Sequence, residues 1–252
     1  MLAITREISP AIARCELTFL ARAPIDLARA RAQHLDYERA LADAGCAVER
    51  LGTAPDLPDS VFVEDIAVAV DECAVIMRPG AESRRAETQA VAEALGRHRR
   101  LAFIRPPATI DGGDVLVVGR RVFVGRSLRT DDAGIEQLRA ALGPSGYDVL
   151  AVAVRGCLHL KSAVTAVSAD TLLVNRAWIP ADRFADFTLL DVDPAEPHAA
   201  NALLVRDVVI YPAAFPHTRA RLEAHGLEVR PVEMDELAKA EGAVTCCSLI
   251  LR

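Results

Sequence analysis

The 252-residue sequence has few aromatic side chains and lacks the sequence patterns of several large protein classes. Aromatic residues make up 4% of the chain and hydrophobic residues 52%, which predicts a core of valine, leucine, isoleucine and alanine. The net charge is −6 and no Lys/Arg-rich run is present, so we expect no nucleic-acid partner. No apolar run reaches membrane-spanning length, and charges at Arg6, Glu7, Arg14 and Glu16 interrupt the N-terminal residues, so we expect neither a membrane partner nor a signal peptide.

The six cysteines are too sparse for a disulfide scaffold and lack the paired spacings of zinc sites. We therefore interpret them as reduced thiols in a cytoplasmic protein, most of them small core residues. The sequence also lacks a GxGxxG motif and a P-loop lysine, so the diglycine Gly112-Gly113 is interpreted as permitting a close backbone approach.

What the sequence does contain is a pattern that recurs five times. Four hairpins of short apolar strands are predicted: Ile66–Val70 with Cys73–Met77, Val115–Val118 with Val122–Val124, Ala163–Val167 with Leu172–Val174, and Ala202–Val205 with Val208–Tyr211. A polar anchor precedes each first strand, and a fifth anchor opens the last apolar run: Glu64-Asp65, Asp111, His159, Asn201 and Cys246. Counted from Glu64, the steps between anchors are 47, 48, 42 and 45 residues, a spacing typical of radial or solenoid architecture.

Each hairpin is followed by a helical pattern and a third strand. The predicted helices are 84–95, 130–142 (with Thr130 as N-cap), 181–187 and 217–225. Joining the termini completes a fifth unit from Thr245–Leu251, Leu2–Thr5, a helix over Leu35–Ala44, and Ala47–Leu51. The sequence thus predicts one α/β domain over residues 1–252, a five-fold pseudosymmetric αβ-propeller of ββαβ units closed by its terminal strands. An ordinary open α/β sheet is the alternative.

The anchor residues carry a chemically reactive set of groups. Cys246 is a candidate nucleophile, and its neighbour Cys247 would face the other way in an extended strand. His159 has the side chain suited to proton transfer near neutral pH, although a histidine between leucines is also a common core residue.

Carboxylates gather near the starts of the hairpin strands: Asp59, Glu64, Asp65, Asp111 and Asp114. For Asp59 and Asp114 a solvated turn is the simpler interpretation. Several carboxylates in one cleft repel one another, and a planar guanidinium cation would relieve that repulsion. Arg84-Arg85 and Arg129 near helix starts would suit a carboxylate such as that of an amino acid.

Five segments resemble dimethylarginine dimethylaminohydrolases, a family of the guanidino-group-modifying pentein superfamily. They occur in the family's order and are Leu57–Asp65, Arg78–Arg85, Ile110–Val115, Leu158–Ser162 and Thr245–Ser248. The resemblance implies Cys246 as nucleophile, His159 as general acid and base, and Asp111 as the carboxylate beside the histidine. It implies that Glu64 and Asp65 bind the guanidinium and that Arg84 and Arg129 bind the substrate α-carboxylate. Asp59, with backbone groups near Leu17 and around Ala240 and Glu241, would hold the α-amino end.

The reaction implied by the resemblance is hydrolysis of Nω-methylated arginine to citrulline and a methylamine, through a covalent thiouronium on the cysteine. It requires no metal and no cofactor, and its partner is a small molecule. An arginine deiminase or another guanidine or ureido hydrolase would use the same groups, and a non-catalytic ring that binds a partner is a further alternative. The sequence leaves a homodimer open.

Overall fold

Fifteen short strands and five helices alternate along the chain in the computed structural model, which describes all of residues 1–252. The strands are β1 (Leu2–Arg6), β2 (Ala47–Leu51), β3 (Ala67–Ala69), β4 (Ala74–Ile76), β5 (Leu101–Phe103), β6 (Val115–Val118), β7 (Arg121–Arg126), β8 (Asp148–Ala153), β9 (Val164–Ala166), β10 (Thr171–Val174), β11 (Thr188–Asp191), β12 (Leu203–Val205), β13 (Val208–Pro212), β14 (Glu228–Val232) and β15 (Leu249–Leu251). The helices are α1 (Leu27–Asp43), α2 (Thr88–Leu95), α3 (Asp132–Leu142), α4 (Pro216–Ala224) and α5 (Asp235–Ala238).

The strands form five separate three-stranded sheets of one design. In each sheet the middle strand pairs antiparallel with its hairpin partner and parallel with the third strand, as β4 does with β3 and β5. The parallel pairing requires a crossover, which a helix or a short 3₁₀ turn supplies. The predicted order of strand, strand, helix, strand is therefore confirmed in four units, and in the third a 3₁₀ turn takes the place of the helix.

The two ends of the chain share the fifth sheet. Strand β1 lies between β15 and β2, with Ala3 opposite Ile250 and Leu2 opposite Ala47. The predicted closure by the terminal strands is confirmed, and it leaves β1 with hydrogen-bonded neighbours on both sides.

Five buried clusters lie between successive units around the ring. Representative pairs across the five interfaces are Val75 with Val122, Phe123 with Leu172, Leu173 with Val209, Ile210 with Tyr37, and Ile4 with Leu95. Since each unit packs on both of its neighbours, the core is a ring of aliphatic interfaces, as the low aromatic content predicts.

The hairpin first strands β3, β6, β9, β12 and β15 surround a central cavity of about 1130 Å³. None of the helices combines the length and apolar character required to span a bilayer.

Some helices differ from the sequence prediction. The third unit has only a 3₁₀ turn, Ala181–Phe184, and a 3₁₀ turn over Glu82–Glu87 precedes α2. Helix α3 is capped by Asp131, whose carboxylate accepts the Gly134 N–H at 2.7 Å. The predicted cap Thr130 instead donates its hydroxyl to the Asp114 carboxylate at 2.7 Å. At Thr130 a buried polar contact therefore overrides the local N-cap signal.

Candidate active site

The anchor side chains converge on a small cavity at one end of the ring. Nine of the eleven predicted site residues line it: Asp59, Asp65, Arg84, Asp111, Arg129, His159, Ala240, Glu241 and Cys246. The other two, Leu17 and Glu64, do not. Phe62, Leu158 and Glu16 complete the lining.

His159 lies between two carboxylates. Its Nε2 is 3.0 Å from Asp111 Oδ2, and its Nδ1 is 3.8 Å from Asp65 Oδ1. Burial disfavours the imidazolium, but Asp65, the Asp111 hydrogen bond and Asp114 outweigh it and raise the pKa of His159 to about 9. The ring is therefore protonated at neutral pH and can act as an acid.

The diglycine allows this packing, as predicted. A Cβ on Gly113 would lie 2.5 Å from His159 Nδ1 and 2.7 Å from Asp65 Oδ1, and one on Gly112 would lie 1.9 Å from the Glu64 carbonyl oxygen. Only glycine fits at these two positions without moving the imidazole or the backbone.

Asp111 and Asp114 have different roles, and the solvated-turn interpretation of Asp114 is wrong. Asp111 accepts the Gly80 N–H at 2.9 Å and faces His159. Asp114 is completely buried and accepts the Leu160 N–H at 2.9 Å, so it fixes the backbone next to the imidazole. The pKa of Asp114 rises to about 6 because burial outweighs these favourable contacts.

Asp59 is also buried rather than solvated, because its carboxylate accepts the Glu16 N–H at 3.1 Å. Burial raises the pKa of Asp59.

Asp65 is a buried carboxylate that stays ionised and can therefore pair with a cation. Burial opposes its ionisation, yet His159 and Arg84 hold the pKa of Asp65 below its ordinary value. Arg84 Nη1 lies 2.5 Å from Asp65 Oδ2, and the Gly113 N–H donates to Oδ1 at 3.1 Å.

The two arginines assigned to the α-carboxylate are in unlike surroundings. Arg84 is buried, and besides Asp65 it binds Glu87 at 2.9 Å and the Phe62 carbonyl at 3.0 Å, so protein groups already occupy its donors. Arg129 is half-buried, and its guanidinium donates only to the Thr18 hydroxyl, at 3.0 Å. Its guanidinium therefore has donors free for a ligand.

Cys246 and Cys247 diverge as predicted, although they lie in a turn before β15 rather than in the strand. Cys246 is half-buried and lines the cavity, while Cys247 is fully buried in the core. Burial and the carboxylates Glu64 and Asp65 raise the pKa of Cys246 to about 12, against the lowering effect of Lys161.

Glu64 does not join Asp65, contrary to the predicted guanidinium-binding pair. It lies in the 3₁₀ turn Val63–Ile66, where successive side chains point in different directions, and it faces the central cavity. Its carboxylate binds Lys161 Nζ at 2.5 Å.

A cover segment, residues 16–20, lies beside the site and is bonded to two of its lining residues, Glu241 and Arg129. The Glu241 carboxylate accepts the N–H groups of Thr18, Phe19 and Leu20 at 3.0, 2.5 and 2.7 Å. Leu17 packs against the core cluster of α1 instead of lining the cavity. The cavity volume is about 20 Å³, room for about one water molecule, so the cavity must widen before it can hold an amino acid.

Known proteins are similar to this chain in sequence and in fold. A sequence profile described as "N,N dimethylarginine dimethylhydrolase, eukaryotic" matches residues 20–250. The N(G),N(G)-dimethylarginine dimethylaminohydrolase of Streptomyces coelicolor is 42% identical over 252 residues, covering 99% of this chain and 96% of that protein. The chain belongs to the dimethylarginine dimethylaminohydrolase family.

Two solved structures of dimethylarginine dimethylaminohydrolases are also similar to this chain. One, from Pseudomonas aeruginosa, is a cysteine-to-serine mutant complexed with citrulline, with a TM-score of 0.93, 33% identity, and coverage of 98% of this chain and 97% of that chain. The other is a histidine-to-glycine variant as an adduct with S-methyl-L-thiocitrulline, with a TM-score of 0.94, 34% identity, and coverage of 98% of both chains. The five-fold pentein architecture predicted for this member of the dimethylarginine dimethylaminohydrolase family is therefore confirmed.

Oxygen and nitrogen donors of Asp65, Asp111 and His159 lie within 4.8 Å of one another, which is the spacing of a metal site. Each group already has protein partners, namely Arg84 for Asp65, Gly80 for Asp111 and both carboxylates for His159. These protein partners already occupy the three groups.

The sequence did not predict the lining residues Glu16, Phe62 and Leu158, which carry no chemical signal of their own. It also did not predict two supporting contacts next to the cavity. Asp114 lies two residues after the start of the diglycine, but the sequence cannot reveal its burial or its bond to the Leu160 N–H. Lys161 follows His159 by two residues, and its partner Glu64 is distant in sequence.

Proposed function

We propose that this protein hydrolyses Nω-methylated arginine, both asymmetric dimethylarginine and monomethylarginine, to citrulline and a methylamine. The observation that carries the proposal is that a thiol, an imidazole and a low-pKa carboxylate from three different units line one cavity: Cys246, His159 and Asp65. Membership of the family and the citrulline bound to a similar structure support it. We take residues 1–252 to be one catalytic domain.

Binding positions the substrate guanidinium carbon over the thiol. Asp65 pairs with the cation, and Arg84 fixes Asp65 in place. The positive charge beside the sulfur offsets the carboxylates that raise the pKa of Cys246, so substrate binding favours the thiolate, whose proton leaves to solvent.

The thiolate then adds to the guanidinium carbon and forms a C–S bond. The imidazolium of His159 donates its proton to the methylated nitrogen, the C–N bond breaks, and the methylamine leaves. The product on Cys246 is a thiouronium, and His159 is now neutral.

Neutral His159 next takes a proton from a water molecule, whose oxygen adds to the same carbon. The C–S bond breaks, its electron pair returns to Sγ, the proton of the added hydroxyl passes to the sulfur, and citrulline is released with the thiol regenerated. Asp111 keeps the ring oriented and stabilises the imidazolium that forms again.

The amino-acid end of the substrate has its own binding groups in this proposal. Arg129 binds the α-carboxylate. Asp59 and Glu241, with backbone groups at Leu17 and Ala240, hold the α-amino group once the cover segment has given up its contacts to these carboxylates.

The sparse, unpaired cysteines lead us to propose a reducing compartment, the cytoplasm, as the location. The small-molecule substrate is the only partner that the proposed reaction requires.

Citrulline release from asymmetric dimethylarginine, monomethylarginine and unmodified arginine tests the proposal. We expect release from the methylated substrates, loss of turnover by several orders of magnitude in Cys246→Ser, and retained activity in the matched control Cys247→Ser, because a hydroxyl is a far poorer nucleophile than a thiolate. Release from unmodified arginine alone would assign deiminase chemistry instead. Full activity in Cys246→Ser would overturn the mechanism.

A further inference from the structure

Glu64 and Lys161 form an ion pair behind the thiol, on the side of the central cavity. Lys161 Nζ is 2.5 Å from Glu64 Oε1, and the two side chains are only 12% and 10% exposed. The sequence has two lysines among its 29 cationic residues, and the other one, Lys239, is bonded to Glu236 and the Pro24 carbonyl. A buried lysine in a chain that otherwise uses arginine marks this pair as a specific feature.

The pair is part of a network that holds the residues around the thiol. Glu64 Oε2 accepts the Thr245 hydroxyl at 2.7 Å, and the Glu64 N–H donates to the Cys246 carbonyl at 3.1 Å. Asn201 donates from Nδ2 to the Lys161 carbonyl and to Thr245 Oγ1, both at 3.0 Å, and accepts the Thr245 N–H at 3.1 Å. Three other units of the ring, through Glu64, Lys161 and Asn201, therefore hold the turn that carries Cys246 on its central-cavity side.

The charges around the Cys246 thiol explain why the pair matters. Its charged and titratable neighbours are Glu64, Asp65 and Lys161, with His159, Asp111 and Arg84 across the cavity and Cys247 and Tyr37 behind it. In the proposed reaction Asp65 must be an anion to bind the substrate. Its negative charge therefore necessarily repels the Cys246 thiolate. Glu64 adds a second negative charge, which Lys161 offsets at 2.5 Å.

We propose that Lys161 is a positioning residue that acts through Glu64: it neutralises the carboxylate behind the Cys246 thiol and fixes the turn that carries the thiol. The Glu64 carboxylate holds this turn through the Thr245 hydroxyl, and the main-chain N–H of Glu64 holds it through the Cys246 carbonyl. The inference rests on the proposed function for its effect on turnover, but its effect on thiol reactivity does not depend on any substrate.

The experiment measures alkylation of Cys246 by iodoacetamide against pH in a Cys247→Ser background, together with kcat and KM for asymmetric dimethylarginine. Between about pH 8 and 11 the alkylation rate follows the thiolate fraction of Cys246, so a shift of the profile gives the direction of the change in thiol pKa. Lys161→Met should move the alkylation profile about one unit to higher pH and lower kcat about tenfold, with KM changing less than about threefold. Glu64→Gln should move the profile to lower pH, and the double variant should return it close to that of the parent.

Two variants control for a purely structural effect. Lys161→Arg keeps the charge and should keep the alkylation profile, while Lys239→Met, at the other lysine, should change nothing. If Lys161→Met cannot be purified, the comparison of Glu64→Gln with the double variant still decides, because the shifts have opposite signs.

Unchanged alkylation profiles in both single variants would overturn the inference. So would a Glu64→Gln variant whose only defect is a raised KM that Lys161→Met does not compensate, since Glu64 would then contact the guanidinium. If citrulline release fails in the parent enzyme while the alkylation profiles shift as expected, the proposed function is at fault and the role of the pair stands.

Discussion

His159 is a buried imidazole with carboxylates near both ring nitrogens. These carboxylates determine its protonation state in the free enzyme. Asp111 and Asp65 raise its pKa to about 9 in spite of burial, so the acid form prevails at neutral pH. The thiol of Cys246 has a pKa raised to about 12, so its proton is also retained. The cation of the substrate is the group that changes this balance.

The pH dependence of turnover follows from that state. The leaving amine needs the imidazolium, so we expect kcat/KM to fall as pH rises through about 9, the pKa of His159 in the free enzyme. Asp111→Asn removes a negative charge beside the ring, lowers the pKa of His159 and should move this alkaline limb to lower pH. Profiles of kcat/KM against pH for the wild type and Asp111→Asn measure the shift, and Asp207→Asn, at an exposed turn, is the control. An alkaline limb that does not move would remove Asp111 from this role.

The side-chain directions of the adjacent residues Glu64 and Asp65 could not be predicted from the sequence. The sequence placed both at the guanidinium, but the 3₁₀ turn directs one into the active-site cavity and the other into the central cavity. Consecutive side chains in an extended segment point to opposite faces, which is why Cys246 and Cys247 were expected to diverge. The same rule predicts that two consecutive carboxylates do not share a face. Only the fold reveals Lys161 as the partner of Glu64.

At the scale of elements, the cover segment is held by few groups. The backbone of Glu241 lies in the left-handed region, with φ at 58°. Its carboxylate accepts hydrogen bonds from three successive N–H groups of the segment. Charge-assisted hydrogen bonds of this kind are strong but can be exchanged for those of a ligand ammonium group. The segment is thus held by the carboxylate that we propose binds the α-amino group of the substrate.

Replacing Glu241 tests the cover segment. Glu241→Ala removes the acceptor, so we expect the amides of Thr18, Phe19 and Leu20 to exchange with solvent deuterium about tenfold faster in the free enzyme. The matched control is Glu223→Ala, which removes an exposed carboxylate near Arg219. Hydrogen exchange resolved by mass spectrometry measures the rates, and equal exchange in Glu241→Ala and the wild type would show that other contacts hold the segment.

Helices and sheets differ in how well the sequence predicted them. The hairpins were found because short apolar runs and polar turns recur with the anchors. The third-unit helix was wrong because Ala181–Phe184 is a single 3₁₀ turn, and α5 was missed because four residues carry too little periodicity to detect. The N-cap of α3 moved from Thr130 to Asp131 because the hydroxyl is needed by a buried carboxylate far along the chain, a contact that local patterns do not contain.

At the scale of the whole molecule, closure of the ring depends on the fifth unit. Its helix α1 is tied to β1 and β2 by a buried carboxylate: Glu38 accepts the Thr5 hydroxyl at 2.6 Å and binds Arg50 Nε at 2.9 Å. His34 lies beside it, with Nδ1 3.7 Å from Glu38 and with Nε2 lacking a hydrogen-bond partner. Burial, with the help of Arg50, lowers the pKa of His34 to about 4.

This buried histidine should make the fold sensitive to acid. Above about pH 6.5, the ordinary value, His34 is neutral in both the folded and the unfolded chain. As pH falls towards 4 the unfolded chain takes up the proton first, so the free energy of unfolding should drop by on the order of 3 kcal/mol. Urea denaturation of wild type and His34→Leu between these pH values should show a flatter dependence in the variant. The exposed His225→Leu is the control, and parallel curves for His34→Leu and wild type would contradict the assignment.

The most direct test of the account is the covalent step on Cys246. His159→Gly lacks the base for the second half of the reaction, so incubation with S-methyl-L-thiocitrulline followed by acid quench should leave an adduct that the wild type turns over to citrulline. Mass spectrometry with fragment ions that separate Cys246 from Cys247 locates it. The account predicts the added mass on Cys246 alone. Near-normal turnover by His159→Gly, or an adduct on Cys247, would contradict it.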